Sequence, residues 1–322
     1  MADPVSPRSA HINGPLSNFA SAYSNAQFIA DQVSGTVLVE KESDSFHKRT
    51  RSDQATIIDD AAGPRASLNE ASYDLEEDMY VCRSRGLKQA VPESLMLNAD
   101  NPPLNPDQLA TANVMQRIKL ARERRVAVQV MTSGNWATAN TGAVSNVWTD
   151  EVNGTPLRDM KTGLQAIPFN GDDVLVFGVC SDVVWDDISM HPDMMALRAG
   201  GSTKDGTVSP EELAKNLNIA GILVSKIHYN TAQQGLTASY SRIWGTTTFA
   251  FVVVPVQAYS PEQMAFSMTF RHNLPGAVNG IRVRRWHNPD AGLGGSDYVA
   301  CELKDDEKII QNDAGYLFTG VR

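Results

Sequence analysis

Apolar and polar positions change period several times along this chain, and each change marks an element. From Pro106 to about Met131 no residue breaks a helix. Leu109, Met115, Ile118, Ala121 and Arg122 recur there at helical spacing, and Ala112 and Val114 widen the stripe. Asn105, Pro106 and Asp107 supply an N-cap, a first-turn proline and an acidic first turn. At ~1.5 Å per residue such a helix is about 39 Å long, enough to cross a whole domain. Met160–Ile167 predicts a second helix. The apolar strand Asp173–Val179 comes next, then short helices over Val183–Ser189 and Ser209–Leu217 with His191-Pro192-Asp193-Met194-Met195 between them. Gly221–Val224 and Phe249–Val254 read as two more strands, separated by Arg242–Gly245. Past Val256 the pattern is β, at Met264–Arg271, Gly280–Arg285, Asp297–Leu303 and Ile309–Gly315, with turns at Pro275-Gly276 and Gly292–Gly295.

The first hundred residues are different. Pro4, Pro7, Gly14 and Pro15 break regular structure in 1–32, where Phe19, Tyr23, Phe28 and Ile29 stand as isolated large apolar groups. Such groups need a covering surface, either a neighbouring subunit or their own subunit's core. Val37–Val39 begins a strand. Glu40–Asp60 then mixes both charge signs through Glu40, Lys41, Glu42, Asp44, Lys48, Arg49, Arg51 and Asp53, which cannot form a core among themselves. A projecting hairpin or a solvated loop fits this stretch. Tyr73–Tyr80 and Gly86–Pro92 return the chain towards the body, and Asn101-Pro102-Pro103 is a stiff stop.

The chain has 322 residues, long enough for a substantial core and by length alone for two domains. Its 42% hydrophobic and 20% charged composition is ordinary for a globular protein. A formal charge of −9 argues against a protein that grips nucleic acid by neutralising phosphates. Cys82, Cys180 and Cys301 are far apart and form no Cys-x-x-Cys pair, so no redox or zinc motif is expected. Cys180 reads as a small buried hydrophobe, and the cysteine usage fits a reducing cytoplasm. No basic-then-apolar leader opens the sequence, and its longest apolar run, Phe249–Val256, falls short of the ~20 residues a membrane helix needs.

Candidate chemistry is sparse. Lys204–Leu213 imitates the second half of an EF-hand loop. With Gly206 at the sixth position, however, Gly201 and Thr203 stand where carboxylates are required. Ser209, Pro210 and Glu212 instead read as the N-cap, N1 and N3 of a capping box. Gly292–Asp297 is a turn, not a dinucleotide fingerprint. His11, His47, His191, His228, His272 and His287 form no metal-spaced pair, and no Gly-x-Ser-x-Gly elbow occurs. The expectation is no catalytic residue, no cofactor and no metal. An unrecognised hydrolase, its groups converging only in space, is the remote alternative.

The ordered set over about 15–322 resembles tailed-phage major capsid proteins with the Hong Kong 97-type fold. Asn18–Asp31 is similar to the arm of several phage capsid families, with Ser34-Gly35 where those have a proline. The resemblance implies an α+β subunit divided into an arm (1–32), an extended β-hairpin loop with its return (33–100), and a peripheral domain (101–160) with a long spine helix (106–131). An axial domain (161–270) and closing strands (271–322) would follow. It also implies an icosahedral shell of hexamers and pentamers around double-stranded DNA, held without sequence-specific contacts. Its implied partners are a separate scaffolding protein, a portal and a possible decoration protein, with no membrane; it would assemble in the host cytoplasm and end in the virion. On this reading Phe19, Tyr23, Phe28, Ile29, Lys41, Lys48, Arg49 and Arg51 are expected at contacts between subunits. Arg117, Arg124 and Arg125 form the spine's basic face, for solvent, an acidic neighbour or packaged DNA. An encapsulin-type nanocompartment, with the same fold around protein cargo, is the alternative.

Overall fold

The computed structural model describes residues 11–23, 25, 27–49, 57–61, 69–70, 75–93, 105–168, 174–199, 207–233, 235–256, 263–292 and 294–322. In chain order the elements are β1 (His11–Ile12), α1 (Gly14–Ala22), α2 (Ala30–Val33), β2 (Gly35–Val39), β3 (Ser43–Arg49), β4 (Leu75–Val81) and β5 (Arg83–Pro92). The long helix α3 (Pro106–Met131), β6 (Thr141–Ala143), α4 (Pro156–Gln165), β7 (Val174–Ser181), α5 (Asp182–Met190), α6 (Pro192–Ala199) and α7 (Pro210–Leu217) follow. The chain ends with β8 (Gly221–Ser225), β9 (His228–Asn230), β10 (Tyr240–Arg242), β11 (Thr248–Pro255), β12 (Ser267–His272), β13 (Arg282–Asn288), β14 (Ser296–Ile309) and β15 (Gly315–Thr319).

Two larger sheets organise these elements. In the first the order is β1-β13-β14-β12-β2, and β5 pairs the other edge of β14. Strand β14 is long enough to pair β13 through Ser296–Glu302 and β12 through Asp305–Ile309, while β5 runs antiparallel to it from Ser296 to Asp305. The second sheet has the order β6-β15-β11-β7-β8. Its central strand β11 is buried through Phe249–Val253, as a strand covered on both faces must be. Helix α3 joins the two halves. Asn105 caps it by accepting from the Asp107 N–H at 3.1 Å, and Pro106 fills its first turn. Ala110, Val114, Met115 and Ile118 pack with Val283, Val299 and Cys301 of the first sheet. Val126, Ala127 and Val130 enter the main core with Phe249, Phe251 and Trp244.

Several expectations change. Residues 11–33 lie against their own subunit: β1 pairs β13, and Leu16 and Ala20 of α1 are buried beside α3. Ile29, Ala30 and Val33 enter the main core. Ile29 is 4% exposed, so its own core, not a neighbour, supplies the covering surface. Residues 1–10 fall outside the described chain. The strand expected at Ile309–Gly315 is a turn: β14 ends at Ile309 and Gly315 opens β15 at φ +144, a conformation that excludes most side chains. The boundary expected near residue 270 falls inside β12, which belongs to the first sheet, and β15 crosses to the second. Leu109 is exposed, because the buried stripe of α3 begins one residue later at Ala110.

Candidate assembly surfaces

The charged stretch after β2 is a hairpin, with β3 and β4 antiparallel in the register Phe46↔Asp78 and Asp44↔Tyr80. Its base rests on the body. Tyr80 stacks on Phe270 at 4.7 Å between centroids, Phe46 lies 5.0 Å from the same ring, and Cys82 is buried beside them. Lys48 stays within the subunit, 3.5 Å from Glu76, 3.8 Å from Asp78 and 3.4 Å from the Ile310 carbonyl. Lys41 pairs with Asp44 at 2.8 Å, and that hydrogen bond holds the Asp44 carboxyl below its usual range. Arg49 ends β3 opposite Leu75; Arg51 lies outside the described residues. Along β4 Leu75, Met79 and Val81 are exposed, as are Glu76 and Glu77, while Asp78 pairs with Lys308 at 2.9 Å. Large apolar groups exposed beside charged ones make this strand a candidate contact surface.

The first sheet supplies a surface of opposite sign. Along β14, Val299, Cys301 and Leu303 face α3, so Tyr298, Ala300, Glu302 and Lys304 face away. Their partners on β5 and β13 place Gly86, Lys88, Arg282, Arg284 and Trp286 on the same outer face. All of these but Tyr298, together with Leu274, line a trough of about 800 Å³. Gly86 and Ala300 make its floor; a Cβ at Gly86 would sit 3.0 Å from the Cys301 carbonyl oxygen. Arg282 pairs with Glu302 at 2.7 Å, and Arg284 contacts the same carboxylate. Two guanidinium groups therefore share one acid. Trp286 stacks on Tyr298 at 5.5 Å, and Lys88 lies 5.2 Å over the Tyr298 ring.

The expected basic face of the spine divides. Arg117 and Arg124 are exposed and line a groove with Leu120, Val128 and Tyr229, where Arg124 covers the Tyr229 ring at 4.7 Å. Arg125 also lines this groove, but its guanidinium reaches β14 and donates to Glu307 at 2.6 and 3.0 Å. Arg122, counted in the sequence with the apolar stripe, is 5% exposed and contacts Asp31, with further hydrogen bonds to the Ser34 carbonyl at 3.0 Å and Thr269 Oγ1 at 3.1 Å. Glu123 accepts the Ile29 and Ala30 N–H groups at 3.0 Å and the Trp244 indole N–H at 2.7 Å. Burial pushes its carboxyl above the usual range, against the pull of these three donors. One carboxylate thus joins the arm, the spine and the turn that leads into β11. Sequence reasoning missed Glu123, Asp305 and Glu307. The available signal was in β14, where the period that buries Val299, Cys301 and Leu303 continues into Asp305 and Glu307.

Other expectations meet local detail. The Ser209 and Glu212 capping box is present at 3.2 and 3.1 Å, while residues 201–206 of the calcium-like loop lie outside the described chain. All three cysteines are free and buried; burial raises Cys82 to about 11, Cys301 to about 12 and Cys180 further still. Thiols so shifted are poor nucleophiles. Among the described residues no group of three or more His, Cys, Asp or Glu could hold a metal, and no helix is long and apolar enough to cross a membrane.

No family model matches the chain, and no curated protein matches it. Solved structures do. A phage-related protein from Bordetella bronchiseptica superposes with a TM-score of 0.75 at 18% identity, covering 97% of this chain and 98% of its own. The capsid of cyanophage P-SCSP1u gives 0.56 at 10% identity, covering 92% and 89%. The SrpI encapsulin of Synechococcus elongatus gives 0.52 at 11% identity, covering 94% and 89%. With hairpin, spine helix and two sheets in place, the chain has the α+β fold common to these three structures, the Hong Kong 97-type fold.

Proposed function

We propose that this chain is the major capsid protein of a tailed phage or prophage, a subunit whose activity is assembly. The observation that supports this most is the presence on one subunit of a hairpin with exposed Leu75, Met79, Val81 and Glu77 and of a basic, aromatic trough on the outer face of β5, β13 and β14. Complementary patches at different places on one molecule make heterologous contacts, which close into rings when the rotation allows. Hexamers and pentamers are such rings, and an icosahedral shell is built from them. Double-stranded DNA would be enclosed without sequence-specific contacts, which agrees with the formal charge of −9. A scaffolding protein, a portal and a decoration protein would be its partners, with assembly in the host cytoplasm and the virion as its final place. Phe19, Tyr23 and Phe28, together with Lys41, Lys48, Arg49 and Arg51, are candidates for neighbour contacts. The reading gives the subunit no chemistry of its own, in keeping with thiols that burial has made inert. The likeness to SrpI supports a second reading, a nanocompartment around protein cargo.

Electron microscopy of the purified protein over several salt concentrations, with a scaffolding partner present, should show closed particles or capsomers. Nuclease-protected DNA inside expressed particles distinguishes the capsid from the compartment, in which an enzyme would be found instead. A protein that stays monomeric under every condition would falsify the assembly reading.

A further inference from the structure

Along α3, Ala121, Arg124 and Val128 are exposed at positions i, i+3 and i+7, so they share one face, apolar at both ends with a cation between. Arg117 extends the same stripe by one turn. With Leu120 and Tyr229 these residues line a groove of about 770 Å³, on which Val128 is 57% exposed. Arg125 spends its charge on Glu307. Arg117 and Arg124 form no ion pair among the described residues, and Arg124 covers only the Tyr229 ring. The groove therefore combines an apolar floor with two positive charges that its own subunit leaves unpaired.

Helix α5 carries the complement. Val183, Asp186 and Met190 repeat the spacing i, i+3 and i+7, apolar at both ends with an anion between. They turn away from the main core, which takes Val184 and Ile188 of the same helix. Asp186 is exposed and forms no ion pair among the described residues, and Met190 is 59% exposed. Past Met190 stands the exposed Asp193, and His191 Nε2 lies 3.3 Å from the Asp150 carbonyl, which brings the loop with exposed Glu151 to this end of α5. Within one subunit the ribbon of β9 and β10 separates the two surfaces. Tyr229 lines the groove from one face of the ribbon. Arg242, paired in register with His228, projects from the other face and donates to Asp182 of α5 at 3.1 Å.

We propose that the spine groove of one subunit receives helix α5 of a second copy of this chain, with the two helices antiparallel. In that direction Val128 meets Val183, Arg124 meets Asp186 and the small Ala121 leaves room for the long Met190. Arg117 then reaches past the end of α5 towards Asp193 and Glu151. Parallel packing matches the first three pairs as well, but it turns Arg117 towards the start of α5, where Asp182 already serves Arg242. A nucleic-acid backbone is the poorer occupant, because phosphates gain nothing from the apolar floor and only two unpaired cations face them. Groove and helix lie at different places on the subunit, so the contact is heterologous and can close into a ring. It rests on the assembly reading and gives that assembly a contact separate from hairpin and trough.

Sedimentation velocity of the full chain, under the salt and scaffolding conditions that assemble the parent, tests the contact. Asp186→Arg and Arg124→Glu should each raise the concentration needed for association about tenfold or more. Both side chains are exposed, so each variant should keep the parent's thermal midpoint. Val128→Asp, also at an exposed position, should weaken association in the same way by facing Asp186 and Val183 with a second carboxylate. The double variant Asp186→Arg with Arg124→Glu restores opposite signs and should associate within about threefold of the parent. Single variants that associate as well as the parent, or a double variant no better than the singles, would overturn the contact and leave assembly itself standing. Weakening by Arg124→Glu but not by Asp186→Arg would overturn it too, since the groove would then hold an acidic partner other than α5. A parent that stays monomeric under every condition would remove the assembly reading, and this contact with it.

Discussion

Two adjacent residues of the spine decide how the arm is held. Arg122 contacts Asp31 and donates to the Ser34 carbonyl, while Glu123 takes three donors from Ile29, Ala30 and Trp244. In the sequence they stand in Arg122-Glu123-Arg124-Arg125, where Arg122 counts with the apolar stripe, Arg124 and Arg125 with the basic face, and Glu123 with neither. Arg124 is exposed, whereas Arg122 and Glu123 are buried and Arg125 pairs with Glu307. Helical spacing tells which residues share a face; it does not tell which faces a second layer will cover. For Arg122, Glu123 and Arg125 the covering layers are the arm and β14, remote in the chain. Glu123→Gln tests the consequence. The amide keeps one acceptor oxygen but sets an NH₂ group against a buried N–H, so at least one donor is orphaned. The expected loss is about 1–3 kcal/mol of unfolding free energy. Urea denaturation should show a lower midpoint at an unchanged m-value. An unchanged midpoint would mean that the arm is not held by this carboxylate.

Elements with their own punctuation were legible. The spine helix was bounded by Asn105, Pro106 and the lack of any breaker, and the structure gives Pro106–Met131. Helix α7 was bounded by its capping box, and β11 by its unbroken apolar run. The strand expected at Ile309–Gly315 failed because β14 ends at Ile309 and β15 opens at Gly315 in the other sheet, with Asn312 and Asp313 in the turn between them. Composition does not show where a strand changes sheet. The spine offers a test at this scale, because its faces are now assigned. Ile118 is 7% exposed in the cluster with Met115 and Val283, so Ile118→Asp buries an unpaired charge and should cost about 4 kcal/mol or more, enough to prevent soluble folding. Arg124 is exposed, and its one contact of note is the Tyr229 ring. Arg124→Gln should change stability by no more than about 1 kcal/mol. Comparable thermal midpoints for the two variants would show that the faces are misassigned.

Over the whole molecule, the trough was hidden from the sequence because it is made by pairing β5 with β14, strands some two hundred residues apart. Lys88, Arg284 and Trp286 look unrelated until that pairing puts them on one face. The hairpin, by contrast, was visible as a stretch too charged to bury itself. Its function and that of the trough stand or fall together, and charge reversal separates the possibilities. Lys88 and Glu77 are both exposed, so substituting either one leaves the subunit's own core untouched. If a neighbour's hairpin lies on the trough, Lys88→Glu sets a carboxylate against an acidic ribbon, and Glu77→Lys sets an ammonium against a basic surface. Either repulsion recurs at every contact around a ring, so a cost of only about 1 kcal/mol at each site accumulates over the shell. Each single variant should therefore fold with the thermal midpoint of the parent but give few closed particles by light scattering and microscopy. The double variant Lys88→Glu with Glu77→Lys restores opposite signs and should recover assembly. Its recovery should weaken as salt rises towards 1 M, where the screening length falls to about 3 Å. Single variants that assemble as well as the parent would place the hairpin elsewhere. Single variants that fail without rescue by the double would mean that both residues act at separate contacts.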